Sequence, residues 1–553
     1  SELLQSRLLQ PVTSNPVRPS RSASDIRIAG FAGPADAGFN EFSPLFERNR
    51  VRLLTSAFGG NHDTWGEETV LSALYDRYAV SLGQLHSDTD GFRPNNDLKQ
   101  DLYDVFAQVA VAPFLDVQGE YRLQDREQGD RRLNFDPDVP FDIRRQTIAE
   151  ESGRIGVRLR LSPHSDVLVS ALHGDIEDRR LFSEKDDFDG ETTLSRTEVL
   201  QDQTGYQLDA QYLFRTERFN LAAGGNVYHT DVDISGRFFD TEGNGVPLSP
   251  DSFDRDQHTA YIYSHIDWPP NLFWTLGVSY DAYDERDIDV SNALHPKVGL
   301  QWNVTDSTQV RMAYFESLRP AVIIEQTLEP AEIAGFNQFF DDPPGTQAKR
   351  YGIGIDQRFS ENIYAGLEAT RRDLKLPLVE EKDEEELREE LFRVYAYWTP
   401  VHDWAVSAEY RFDQFEVEEV HNFPDGRVIL TETTTVPVTV RYFHPAGFFA
   451  GLSASYVQQQ VELLSIGETK VTNETGSDNF VTLDMAIGYR LPKRLGILSV
   501  GVSNLLDKEF RFQDDNFRTS TPIQTDSGPI PDLGTFSNFI PDRTIFGGIT
   551  LSF

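Results

Sequence analysis

Apolar and polar residues alternate with a period of two along almost the whole chain, and the alternation runs to the last residue. In residues 543–553 (RTIFGGITLSF), Ile545, Gly547, Ile549, Leu551 and Phe553 share one face, while Thr544, Phe546, Gly548, Thr550 and Ser552 share the other. Period two marks a strand whose two faces meet different surroundings. Val481, Leu483, Met485, Ile487 and Tyr489 oppose Thr482, Asp484, Ala486, Gly488 and Arg490 in the same way. So do Trp274, Leu276, Val278, Tyr280 and Ala282 against Phe273, Thr275, Gly277, Ser279 and Asp281. Phe448, Ala450, Leu452, Ala454 and Tyr456 likewise oppose Phe449, Gly451, Ser453 and Ser455. One face is large and apolar; the other is small, polar or charged.

Tight polar or Pro-bearing turns separate pairs of such runs at 76–77, 113–116, 162–166, 216–218 and 268–271, then at 305–307, 360–362, 400–403, 444–447 and 491–494. Each is a hairpin signal, and longer stretches rich in Asp, Asn, Gly and Pro join one hairpin to the next. Ten turns define twenty strands; residues 51–58 and the terminal run bring the total to twenty-two. Pro437 interrupts one run, removes a ladder donor and predicts a local bulge. Aromatic residues gather beside the tight turns: Tyr75, Tyr78, Phe114, Trp268, Trp302, Phe359, Trp404, Tyr442 and Phe443. Such a girdle belongs at a membrane interface.

Composition changes the picture by what it removes. Mean hydropathy is -0.44 and 25% of residues are charged, and no apolar run reaches the roughly 18–20 residues of a membrane helix. A closed barrel is the other way to satisfy every backbone group in lipid, and its alternating pattern hides from a hydropathy scan. A charged side chain facing lipid near mid-bilayer costs about 2–4 kcal/mol. The charges fall on the small-residue face or at strand ends, so that face is expected to line the lumen. The fold expected is all-β: a 22-stranded antiparallel transmembrane β-barrel over residues 51–553, with short periplasmic turns and long extracellular loops, in the bacterial outer membrane. Residues 1–50, with Pro11, Pro16, Pro19 and several Ser and Arg, are expected to be a periplasmic linker or a segment entering the lumen. The opening Ser-Glu-Leu-Leu lacks a basic n-region and an apolar h-region, so removal of a signal peptide or more is expected.

The absence of Cys argues against disulfides and thiolate metal sites. A net charge of -38 disfavours nucleic acid as a partner. Much of the acid lies in loop-like stretches such as 184–190 and 380–390, which suits a solvated surface beside lipopolysaccharide. Asp186, Asp187 and Asp189 before Gly190 offer clustered hard oxygens for Ca²⁺; no other cofactor is expected. The eleven His are scattered, with no His-Glu-x-x-His, nucleophile elbow or phosphate loop, so no enzymatic activity is expected.

A barrel of about 22 strands is wide enough to leak unless its lumen is filled. Two long loops carry aromatics that could close it or meet a ligand. Residues 325–345 hold Phe336, Phe339 and Phe340 next to Asp341, Asp342, Pro343 and Pro344. Residues 505–542 hold Phe510, Phe512, Phe517, Phe536 and Phe539. Loops longer than about 15 residues are usually functional or disordered, and this aromatic content favours function.

Several stretches resemble the barrel of TonB-dependent outer-membrane receptors. Val500-Gly-Val-Ser-Asn-Leu-Leu-Asp-Lys508 resembles that family's penultimate strand and following turn, and Pro541-Asp-Arg-Thr544 its lead into the last strand. Leu318-Arg-Pro320, Leu328-Glu-Pro330 and Arg350-Tyr-Gly-Ile-Gly354 resemble its long mid-barrel loop and next strand. The ending Ile549, Leu551 and Phe553 is similar to the signal by which outer-membrane barrels are recognised for assembly. The family also has a plug of about 130–150 residues, preceded by a TonB-binding segment; neither is recognisable in the fifty or so residues before the first strand. The phrase from Gly30 to Phe46 is similar to the junction of barrels joined to periplasmic tetratricopeptide repeats.

The resemblance implies a transport protein moving a specific cargo through a gated barrel, with a periplasmic gating or energising partner. The barrel itself implies outer-membrane lipid, lipopolysaccharide and the barrel-assembly machinery as further partners. An export conduit coupled to a periplasmic domain, or a surface-binding barrel with a permanently filled lumen, remain the alternatives.

Overall fold

The computed structural model of the chain describes residues 48–135, 144–188, 191–239, 243–285, 288–321, 327–339, 342–377, 384–418, 428–467, 470–514, 523–525, 528–530 and 539–553. Twenty-two long strands and one three-residue strand, Gly245–Pro247, form a single 23-stranded sheet. Successive strands pair antiparallel, and the first, Arg50–Gly60, pairs with the last, Thr544–Ser552. The sheet therefore closes on itself. All ten tight turns lie between paired strands where the alternation places them, from Tyr75/Tyr78 to Arg490/Gly496.

The two faces are chemically distinct. In Leu272–Glu285, Leu276, Val278 and Tyr280 point outward and are exposed, while Thr275, Ser279 and Asp281 point inward and are buried. Exposed Tyr75, Tyr78, Phe114, Trp268, Trp302, Phe359 and Trp404 ring the tight-turn rim on the outside. No helix is long and apolar enough to cross a membrane among the described residues; the strands do the crossing.

Pro437 gives a different local structure from the bulge its sequence suggests. Ala408 pairs with Val438 and Arg411 with Thr435, so the register is the same on both sides of the proline. The missing N–H silences the ladder at 436–437 without inserting a residue. Register shifts lie elsewhere: four beside tight turns, for example between Ala110 and Ala112, and two toward the long loops, between Asp281 and Tyr283 and between Val428 and Leu430.

Wall height varies around the barrel. Glu191–Arg215 has 25 residues, about 80 Å at roughly 3.3 Å per residue, whereas a tilted membrane strand needs about 9–11. Thr308–Leu318 has only 11 residues. The loop after it thus leaves the wall far lower than its neighbours do, and turns inward.

Candidate functional site

The candidate site is the lumen, where two inserts from the loop rim pack on the inner wall. The first is formed by the described residues of the stretch 319–346, namely 319–321, 327–339 and 342–346. Its neck is tied where the Arg319 N–H donates to the Thr346 carbonyl at 2.8 Å and the Gly345 N–H to the Arg319 carbonyl at 3.2 Å. Its tip is a miniature hairpin, Glu332–Ile333 against Phe336–Asn337, turned by Ala334 and Gly335 with φ of 48° and 90°. Leu328, Ile333 and Phe336 are completely buried in one apolar cluster with Leu213, Tyr261, Tyr263, Ala313 and Phe315 of the wall.

Polar side chains of six strands hold the insert. Gln211 Nε2 donates to the Leu328 carbonyl at 2.6 Å, and the Tyr228 hydroxyl to Thr327 Oγ1 at 3.1 Å. Gln338 Nε2 donates to the Tyr263 hydroxyl at 3.0 Å, and Ser317 Oγ to the Gln338 carbonyl at 3.1 Å. Arg350 donates to the Asn337 carbonyl at 2.9 Å, and Arg372 pairs with Asp342. Wall glycines make the seat. A Cβ at Gly352 would lie 2.7 Å from the Phe336 ring, and one at Gly299 2.7 Å from Ala334 Cβ. Beneath the ring, Arg311 sits 5.2 Å from the Phe336 centroid while pairing with Asp356 at 2.8 Å and Glu368 at 3.1 Å.

Depth gives this packing its meaning. Gln211 and Tyr263 each lie four residues from the tight-turn end of their strands, which end at Arg215 and Asp267, about 13 Å at 3.3 Å per residue. Ile262, next to Tyr263, and Met312, next to Arg311, are exposed on the lipid side. The insert therefore occupies the lumen at the height of the membrane.

The second insert is built from three loops on the opposite arc. Leu133, Phe512 and the wall residues Val457 and Phe480 form a buried cluster, with Phe92, Phe510 and Phe539 packed against it. Phe480 stacks on Phe510 at 3.8 Å. Gln459, fully buried, mimics a strand partner for Gln513: Nε2 donates to the Gln513 carbonyl at 2.9 Å and Oε1 accepts its N–H at 2.6 Å. The Asp514 N–H donates to the Leu133 carbonyl at 3.0 Å, and its carboxylate accepts the Leu133 N–H at 2.8 Å. Above them the Asp97 carboxyl is held below its ordinary range; burial pushes it up, but hydrogen bonds and charge from Arg145, at 2.8 Å, outweigh that.

Among the residues singled out by sequence, Phe336 and Phe339 lie in the first insert, 0% and 3% exposed, with the Phe336 ring against the wall. Phe512 lies in the second. Phe340, Phe517, Phe536 and Asp189 fall outside the described residues. Asp186 and Asp187 lie on Ser165–Phe188, opposite Thr193 and Thr192; among the described residues no group of three or more His, Asp or Glu could hold a metal ion. Ile549 and Leu551 pair with Ala57 and Thr55, and Phe553 exchanges backbone hydrogen bonds of 2.9 and 3.1 Å with Leu53. Sequence reasoning missed the anchors Gln211, Tyr263, Arg311 and Gln459 and the seats Gly299 and Gly352. The one available signal was glycine recurring on inward-facing positions.

A family model described as TonB dependent receptor-like, beta-barrel matches residues 49–352, more than half of the chain. No curated protein sequence matches significantly. Among solved structures, the ferripyoverdine receptor of the outer membrane of Pseudomonas aeruginosa superposes with a TM-score of 0.67 at 13% identity, covering 92% of this chain and 72% of that one. The copper transporter OprC gives 0.65 at 12% identity, covering 93% and 82%. The siderophore receptor PiuA from Acinetobacter baumannii gives 0.63 at 13% identity, covering 92% and 82%. A closed barrel of twenty-two strands, an outward apolar face and the matching family model lead to one conclusion: the chain belongs to the TonB-dependent-receptor-like β-barrel family of the outer membrane.

Proposed function

We propose that the protein moves a specific cargo across the outer membrane through its lumen, and that residues 319–346 are the internal gate. The observation that carries this is the depth of the insert: a loop from one rim is built into the wall at membrane height. Fold neighbours named as a ferripyoverdine receptor, a copper transporter and a siderophore receptor support transport as the class; they do not choose the cargo. Family membership supports a periplasmic energising partner of the TonB type.

The energetics suit a gate. Leu328, Ile333 and Phe336 are fully buried against the wall, while each polar anchor is worth only about 1 kcal/mol, so the insert is held by many small contacts, none of which alone decides its position. A ligand or partner that shifts the balance by a few kcal/mol moves the population by orders of magnitude.

The test is conductance of the purified chain in planar bilayers. Replacing residues 321–342 by a short Gly-Ser linker keeps the neck and removes the insert, and is expected to give a markedly larger and more frequent open level than wild type. Equal conductance from both proteins overturns the gate and favours a lumen filled permanently.

A further inference from the structure

The insert carries one ionisable side chain into the heart of its seat. Glu329 is 4% exposed and lies between Thr327 and Pro330, with its N–H donating to Thr327 Oγ1 at 3.1 Å. The Tyr263 hydroxyl donates to its carboxyl group, and Gln338 in turn donates to Tyr263. The wall around it is mostly acidic. Asp209, bonded by the Tyr228 hydroxyl, comes from Glu191–Arg215. Asp281, bonded by His295 Nδ1 and Thr259 Oγ1, both at 2.7 Å, comes from Leu272–Glu285. Tyr261 and Tyr263 face it from Asp251–Asp267, and Glu316 lies near the end of Thr308–Leu318. The buried cation nearby is Lys297, whose Nζ donates to the Glu316 carbonyl.

Resting on the gate described above, we propose that a proton on Glu329 latches residues 319–346 in the lumen and that its loss releases them. A neutral carboxyl sits among apolar and acidic neighbours without an ionic desolvation penalty. The carboxylate meets Asp281 and Asp209 in a seat closed to water, and Lys297 compensates only in part. The Glu329 carboxyl is accordingly raised, by burial first and with Asp281 and Asp209 reinforcing, against the Lys297 charge and the Tyr263 hydroxyl, which both favour the carboxylate. Released into the wet lumen, the same group returns to the ordinary carboxylic range near ~4.3. The sign follows from linkage: the docked form holds the proton more tightly, so docking is strongest below the released value. It weakens as pH rises toward the docked value.

The experiment is open probability of the full chain in planar bilayers between pH 5 and pH 8.5, with far-UV circular dichroism confirming the barrel in every variant. Wild type is expected to open at least about tenfold more often at the alkaline end, since one proton changes the ratio about tenfold for each pH unit between its two pKa values. Glu329→Gln, nearly isosteric and permanently neutral, is expected to stay closed throughout. Glu329→Asp, which still titrates, keeps a pH slope. A flat wild-type profile, or an equal slope in Glu329→Gln, overturns the latch. The linker variant separates the two levels. If it conducts while wild type ignores pH, the latch fails and the gate stands; if it is as closed as wild type, the gate itself has failed.

Discussion

At the residue scale, close approach decides identity more often than intrinsic preference does. The tip of the first insert is a two-residue hairpin turn in which both φ values are positive, a geometry for which Asn-Gly is the favoured pair. The chain has Ala334-Gly335 instead, although a non-glycine residue with positive φ is disfavoured. Ala334 is buried against Gly299, where even one added carbon on the wall would lie 2.7 Å away. Space excludes Asn, so the turn accepts strain to seat its tip. The same logic makes Gly352 a sensitive position. Gly352→Leu would drive its side chain into the Phe336 ring, flanked by Arg311 and its two carboxylates. Overpacking costs typically about 1–3 kcal/mol, and the cheapest relief is for the insert to leave. Expected are a higher open probability in bilayers and faster protease cleavage within 319–346 in intact cells. Gly153→Leu, where a Cβ meets nothing nearer than 3.9 Å, should change neither.

At the element scale, the final strand is set apart from the rest because it closes the ring. Phe553 exchanges two backbone hydrogen bonds with Leu53, while its ring is 59% exposed. Deleting Phe553 removes those bonds at a rim where water can replace them, so the loss of stability is expected to be small, near 1 kcal/mol. If the terminus serves as an assembly signal, the amount of barrel reaching the outer membrane should fall far more than the urea midpoint of the barrel that does arrive. Matched small losses in both would make Phe553 an ordinary strand end. The strands were legible in sequence because their cause is local: Leu276, Thr275 and Asp281 report their own face by parity alone. Pro437 was misjudged since a missing donor need not add a residue. The inserts were illegible in placement, if not in aromatic content. Phe336 says that something must be buried, but its seat comes from Gly352 and Arg311 on other strands, and Gln459 finds Gln513 across 54 residues. No period within the loop encodes those partners.

At the scale of the whole molecule, the lumen is divided between two independently anchored bodies. Residues 319–346 hang on the arc from Glu191–Arg215 round to Ile363–Pro377, through Gln211, Tyr263, Arg350 and Arg372. The second insert hangs on Phe448–Gly467 and Lys470–Arg490, through Gln459 and Phe480. The wall residues named for one insert are not those named for the other. Sites that share no partners contribute additively, within about 0.3–0.5 kcal/mol. Gln459→Leu keeps the side chain's volume but leaves the Gln513 N–H and carbonyl without their partners, at a cost of about 1–3 kcal/mol for buried groups. It should therefore loosen the second insert alone. Combined with Gly352→Leu, the expected open probability is the product of the two single effects, each taken as a ratio to wild type. A double variant no more open than the stronger single would mean that one insert must move before the other can. Openings far above the product would mean that the two brace each other across the lumen, so that cargo displacing either one releases both.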